Sequence, residues 1–235
     1  TEHNRGIEIM KKRILGVLLA SLFLFSGCSA QSPELITAGG DTVSAATRSR
    51  YRANEIDQYQ GARLDPAIGP RDNSIKGIQQ VDTASYTLSI GGLVDHPLSL
   101  SYNEVRALDA HERLITLYCV EGWEATILWK GILLDELIAM AGAKPEAVTV
   151  IFGSVDGYTT SLPLQTIREK SLILAYGANG LDLPPAMGYP FIVVAEEKLG
   201  YKWARWVNSI TLSDDADYRG FWEQAGYSNE AEVSK

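Results

Sequence analysis

Apolar and polar positions alternate over Tyr86-Thr-Leu-Ser-Ile90, the pattern of a strand with one buried face. Ser101-Tyr-Asn-Glu104 has the spacing of a capping box and predicts a short helix to about Leu108. Arg113 to Tyr118 reads as a strand that runs into Cys119, and Trp123 to Trp129 as a second, with a turn between them. Leu133, Leu134, Leu137 and Ile138 fall at helical spacing, so a helix is expected over 132–140, stopping at Gly142. Ala147 to Phe152 reads as a strand and Tyr158 to Leu162 as its hairpin partner, followed by a short helix from Leu164 to Lys170 opened by Pro163. Further strands are expected over 172–176, 191–195 and 206–212. Short strands with few helices and no β-α-β-α alternation predict an α+β fold with mixed β-sheets and short helices.

The N-terminal part reads differently. Met10 is the first methionine, and Lys11-Lys12-Arg13 precedes an apolar run from Ile14 to Phe25. That run is too short to span a bilayer and suits the core of a signal peptide. It ends in Leu24-Phe25-Ser26-Gly27-Cys28, which resembles a bacterial lipobox, so Cys28 is the expected lipidation site. Residues 1–27 are therefore read as an upstream extension with a lipoprotein signal peptide. Residues 28–50 are small, polar and aperiodic and read as a flexible tether, and 51–235 as the folded domain. Between Tyr51 and Asp82 the pattern shows turn chemistry and little periodicity, which in a compact domain points to a wrapping or functional segment.

Composition narrows the function. Acids outnumber bases 29 to 21, for a net charge of −8, and removal of 1–27 leaves the chain more acidic still. That balance argues against a nucleic-acid partner. The two cysteines exclude a disulfide scaffold and a cysteine-rich zinc site. No GxGxxG, GxxxxGK[ST] or GxSxG is present, and His96 and His111 have no partner at metal spacing. His96, before Pro97, reads as a turn residue. If Cys28 carries lipid, Cys119 is an unpaired thiol in an exported protein. It is either a buried small hydrophobe or a thiolate ligand for a soft metal.

The stretch Leu117-Tyr-Cys-Val-Glu-Gly-Trp123, followed by Trp129-Lys-Gly131, resembles the molybdopterin-binding domain of the sulfite oxidase superfamily. The likeness is greatest to the branch of periplasmic methionine-sulfoxide reductases. Asn73-Ser-Ile-Lys-Gly77, Val150-Ile-Phe-Gly-Ser154, Ala178-Asn-Gly180, Gly188-Tyr-Pro190, Gly200-Tyr-Lys-Trp-Ala-Arg205 and Gly220-Phe-Trp-Glu223 continue it in order. The resemblance covers roughly residues 65–230. It implies molybdenum-molybdopterin, one molybdenum per chain, with Cys119 as its protein ligand. Asn73, Lys76, Gly77 and Ser154 would contact the pterin. Lys202 and Arg205, with the backbone of Trp203 and Ala204, would hold its phosphate. Glu121 becomes a candidate proton handler beside the metal, or else a carboxylate of the turn. Two positions depart from the family: Met187 stands where Asn or His is common, and Ile192 where Arg is common. The Lys11-Lys12-Arg13 signal is at best a variant of the twin-arginine type.

The family exchanges an oxygen atom between substrate and metal, coupled to two electrons. An acidic chain with Glu121 in the cysteine loop disfavours a small dianion such as sulfite. The expectation is reduction of an S-oxide or N-oxide, small or carried on a protein. The electrons would come from an external donor such as a membrane haem or quinol protein. The alternatives are sulfite-type oxidation, or a cofactor-free lipid-anchored binding module on the same scaffold. The bilayer would be contacted through the N-terminal anchor only.

Overall fold

A computed structural model describes residues 43–233. The signal-peptide run and Cys28 lie outside the described residues. Helix α1 (Ala45–Arg52) is followed by a small hairpin of β1 (Gln58–Tyr59) and β2 (Ala62–Arg63). Next come β3 (Thr87–Gly92), β4 (Leu98–Ser101), α2 (Tyr102–Arg106), β5 (His111–Tyr118), β6 (Glu124–Leu133) and α3 (Leu134–Ala141). The second half carries β7 (Thr149–Ser154), β8 (Thr159–Pro163), α4 (Leu164–Glu169), β9 (Ile173–Ala178), β10 (Leu181–Asp182), β11 (Ile192–Val194), β12 (Val207–Ser213) and α5 (Phe221–Gln224). The class is α+β with mixed sheets, as the pattern predicts.

One sheet runs β10-β9-β6-β5, with β11 also paired to β9; the other runs β4-β3-β12-β7-β8. Among pairs of these strands only β3 and β12 run parallel and the rest are antiparallel; Tyr118 of β5 also forms an isolated parallel bridge with Leu199. Strand β9 is buried along its whole length, which is why Ile-Leu-Ala-Tyr-Gly-Ala shows no alternation. Helix α3 buries Leu134, Leu137, Ile138 and Ala141 and ends on left-handed Gly142. Trp129, Phe152 and Phe191 are fully buried in the core.

The tether expected over 28–50 requires a correction in its last part, because residues 45–50 are helical. Ser44 caps α1 by accepting from the Thr47 N–H, and Tyr51 donates to the Asp182 carbonyl. No residue of α1 is buried. Half-buried Tyr51 packs against the core, but a single such residue makes no apolar stripe to announce the helix.

Candidate active site

Strand β5 ends at Tyr118 and delivers Cys119 into a tight turn. The Gly122 N–H donates to the Cys119 carbonyl at 3.0 Å, and the Cys119 N–H donates to the Trp123 carbonyl at 2.9 Å. Gly122 sits at φ +83°, a conformation that glycine adopts without strain. The turn leaves the Cys119 sulfur half-buried.

The sulfur is surrounded by donors. The Asn73 side-chain amide donates to Cys119 Sγ at 3.6 Å, and the backbone N–H groups of Val120 and Glu121 also point at it. Burial pushes the thiol pKa up, and the nearby Glu121 charge adds to that; the three N–H donors pull the other way. The loop around it is polar. Glu121 accepts from the Trp123 indole at 3.4 Å and faces Arg71 at 3.7 Å.

Three further segments meet around this turn. Segment 71–77 supplies Asn73, and its Asp72 pairs with Arg205 at 2.7 Å. Gly200 packs against Cys119 and so brings the segment 200–205 alongside. Arg205 also donates to the Ala186 carbonyl at 2.8 Å, and its guanidinium lies 4.5 Å from the centre of the Trp206 ring. The β7–β8 turn joins through Val155, whose N–H donates to the Trp206 carbonyl. Lys76 reaches the same turn: its ammonium lies 3.3 Å from where a Cβ on Gly157 would stand. Gly77 is buried at φ +77°.

Ser154, at the end of β7, has a buried hydroxyl with no hydrogen-bond partner among the described residues. A buried hydroxyl is rarely left in that state in a finished structure. An orphaned hydroxyl and a half-buried sulfur ringed by N–H donors suit a polar cofactor held by a soft donor. Asn73, Lys76, Cys119, Ser154 and Arg205 therefore fit such a group as placed.

Lys202 does not fit as expected. It is fully buried, and its ammonium donates to Glu223 (2.6 Å), the Asn229 side chain (2.9 Å) and the Ser161 carbonyl (3.1 Å). All three of its protons are thereby used, which corrects the phosphate-holding role for this arrangement. Trp203 packs on Trp129 with ring centres 5.5 Å apart and donates to the Lys198 carbonyl. The Ala204 carbonyl accepts from Val193. Both are core residues by side chain. Met187 and Ile192 are also buried, so neither position offers a polar group to the site. His96 is exposed in a turn. A separate surface groove is lined by His111, Arg113, Lys170 and Glu196 at the other end of β5.

Comparison with known proteins now bears on this constellation. Residues 75–222 match the family described as "Oxidoreductase molybdopterin binding domain". The chain belongs to this family. It is an oxidoreductase that binds the molybdopterin cofactor. The "Uncharacterized oxidoreductase YuiH" of Bacillus subtilis is 35% identical over 147 residues, covering 62% of this chain and 74% of that protein. The "Putative protein-methionine-sulfoxide reductase subunit YedZ1" of Azospira oryzae is 30% identical over 239 residues, covering 94% and 87%. The sulfane dehydrogenase SoxCD of Paracoccus pantotrophus shares the fold, with a TM-score of 0.58 at 23% identity over 60% of this chain. This chain spans 41% of that solved chain.

Proposed function

We propose that this enzyme reduces a neutral S-oxide or N-oxide by two-electron oxygen-atom transfer, with Cys119 as the protein ligand to molybdenum. The observation that carries the reading is the pairing of the cations around the site. Arg71 faces Glu121, Arg205 faces Asp72 and Lys202 faces Glu223. These three cations stand against carboxylates, and Lys76 is the one named site cation for which the described residues show no ion pair, so long-range attraction for sulfite is reduced. A neutral oxide pays no penalty for entering such a mouth. The similarity to the putative methionine-sulfoxide reductase subunit supports the same direction.

The residues divide the work. Cys119 offers the sulfur, and Asn73 with the Val120 and Glu121 N–H groups holds charge on it. Asn73, Lys76, Gly77, Ser154 and Arg205 would hold the pterin and its phosphate. Bound molybdenum supplies the two-electron oxygen-atom chemistry that the polypeptide lacks. Reduction of an oxide consumes two electrons and two protons and releases water. Glu121, half-exposed beside the sulfur, is placed to pass those protons in from solvent. The electrons come from an external donor, a membrane haem or quinol protein in this reading. Cys28, as a lipid anchor outside the cytoplasm, would keep the domain near it.

The test is a reductase assay with a viologen donor on protein from a host that makes molybdopterin. Sulfoxide-dependent oxidation of the viologen is expected, with about one molybdenum per chain, and Cys119→Ser should lose both. Sulfite oxidation with ferricyanide and no turnover of sulfoxides would overturn the direction. Globomycin should make the unprocessed precursor accumulate; unchanged processing would remove the anchor at Cys28.

A further inference from the structure

Helix α1 precedes the span 75–222 that the family model matches, and it buries none of its residues. Its half-buried Tyr51 packs against the core. The contacts of its Arg48 are polar. Half-buried Arg48 donates to three successive carbonyls, those of Ile68 (3.3 Å), Gly69 and Pro70 (3.5 Å). A planar guanidinium with several fixed donors can do this, and a lysine ammonium cannot do it in the same geometry.

The chain that follows those carbonyls is the chain that walls the site. Arg71 faces Glu121, Asp72 pairs with Arg205, and Asn73 donates to the Cys119 sulfur. Gly69 also lies against the Trp123 indole. A Cβ at Gly69 would stand 3.2 Å from the ring, closer than the ring could accept without shifting. Trp123 in turn closes the Cys119 turn through its carbonyl and donates its indole N–H to Glu121. Segment 68–73 belongs to no strand or helix. Upstream it is fixed at Asp65, which exchanges hydrogen bonds with Thr126, and at Ala67, whose N–H donates to Glu55. Downstream it is fixed at Asp72. Between these points, Arg48 is the tie.

We propose that Arg48 is a positioning residue that holds segment 68–73 against the Cys119 turn, and so sets how closely the sulfur is covered. It acts through backbone and through Trp123, without touching the sulfur. Its consequence for catalysis rests on Cys119 being the molybdenum ligand; its geometry does not.

The test uses the full chain in cofactor-free form, from a host unable to make molybdopterin. Alkylation of Cys119 by iodoacetamide at one fixed pH is followed by peptide-resolved mass spectrometry, which separates Cys119 from Cys28. Arg48→Ala should raise the Cys119 rate about tenfold, the loss expected when a charge-assisted tie is removed. Arg48→Lys should recover part of the protection. Arg50→Ala, at an exposed position of the same helix, should leave the rate unchanged. A merely structural role would lower the urea midpoint of Arg48→Ala and leave native-state alkylation at the parent rate, and that result would overturn the proposal. Gly69→Ala, which forces the segment and the indole apart with Arg48 intact, should raise the rate too. If Arg48→Ala does not fold, an unchanged rate in folded Gly69→Ala would overturn the proposal instead. The readout needs neither molybdenum nor substrate. Its failure therefore leaves the oxygen-transfer reading standing, and failure of that reading leaves this one standing.

Discussion

Cys119 is held by the opposition of two effects on one sulfur. Burial and the Glu121 carboxylate favour the neutral thiol, while the Asn73 amide and two backbone N–H groups favour the thiolate. In the proposed site a metal would resolve the contest by taking the proton's place, and the donors would then tune how much charge the sulfur passes on. Asn73→Leu tests this, because it keeps the volume and removes the side-chain N–H. The variant should retain molybdenum, and its midpoint potential should fall, since a sulfur with fewer donors carries more charge and stabilises the oxidised metal. An unchanged potential in a redox titration followed by electron paramagnetic resonance would show that Asn73 plays no part at the sulfur. At this scale Cys119 was legible from its turn chemistry and the resemblance around it. The contact between Asn73 and Cys119 was not legible, because a contact across 46 residues of chain leaves no local pattern.

At the scale of elements, the strands with alternating or wholly apolar patterns and the helices α2, α3 and α4 were legible. Those missed were α1, the β1–β2 hairpin, β4, β10 and α5. Apart from α1, each strand or helix among them is at most four residues long, too short for a period to stand out. Helix α2 shows the opposite case, five residues that announce themselves through their cap. Ser101 accepts from the Glu104 N–H at 3.3 Å, and the Glu104 carboxylate accepts from the Ser101 N–H at 2.7 Å. The Ser101 hydroxyl and N–H hold the Glu104 carboxyl below its ordinary value of 4.5. A lowered folded-state pKa means that the contribution is present above 4.5 and is lost as pH falls through the folded value. Ser101→Ala should therefore lower the urea midpoint at neutral pH, and the gap from the parent should narrow in acid below that folded value. A gap that stays constant down through the carboxylate range would show that the box contributes nothing through charge.

For the whole molecule, the decisive contact is the one that ties the C-terminal segment to the site loop. Lys202 and Glu223 are both fully buried, and the pair is completed by Thr160, Asn229 and the Ser161 carbonyl. Sequence reading placed Lys202 on the cofactor phosphate through the family resemblance alone; the residues by themselves read as a solvated strand end. Nothing local says that Glu223, 21 residues later, folds back to meet it. Breaking one half of a buried pair strands the other charge, so Lys202→Met should cost about 3–5 kcal/mol. Lys202→Met combined with Glu223→Leu should recover most of that, because a packed apolar pair is comparable to a buried ionic one. The pH dependence distinguishes the parent from the double variant. Burial lowers the Lys202 pKa below 10.5, outweighing the Glu223 contacts that raise it. Between the lowered folded value and 10.5 the unfolded chain binds more protons, so the Lys202 contribution to parent stability rises with pH across that window. The double variant should lack the rise. The same pair of proteins decides what Lys202 does for the cofactor. If the ion pair is its whole role, the folded double variant retains molybdenum near one per chain, while Arg205→Met loses it. Loss of molybdenum from a double variant whose urea midpoint matches the parent would return Lys202 to the phosphate, with the Glu223 contact as the state it leaves on cofactor binding.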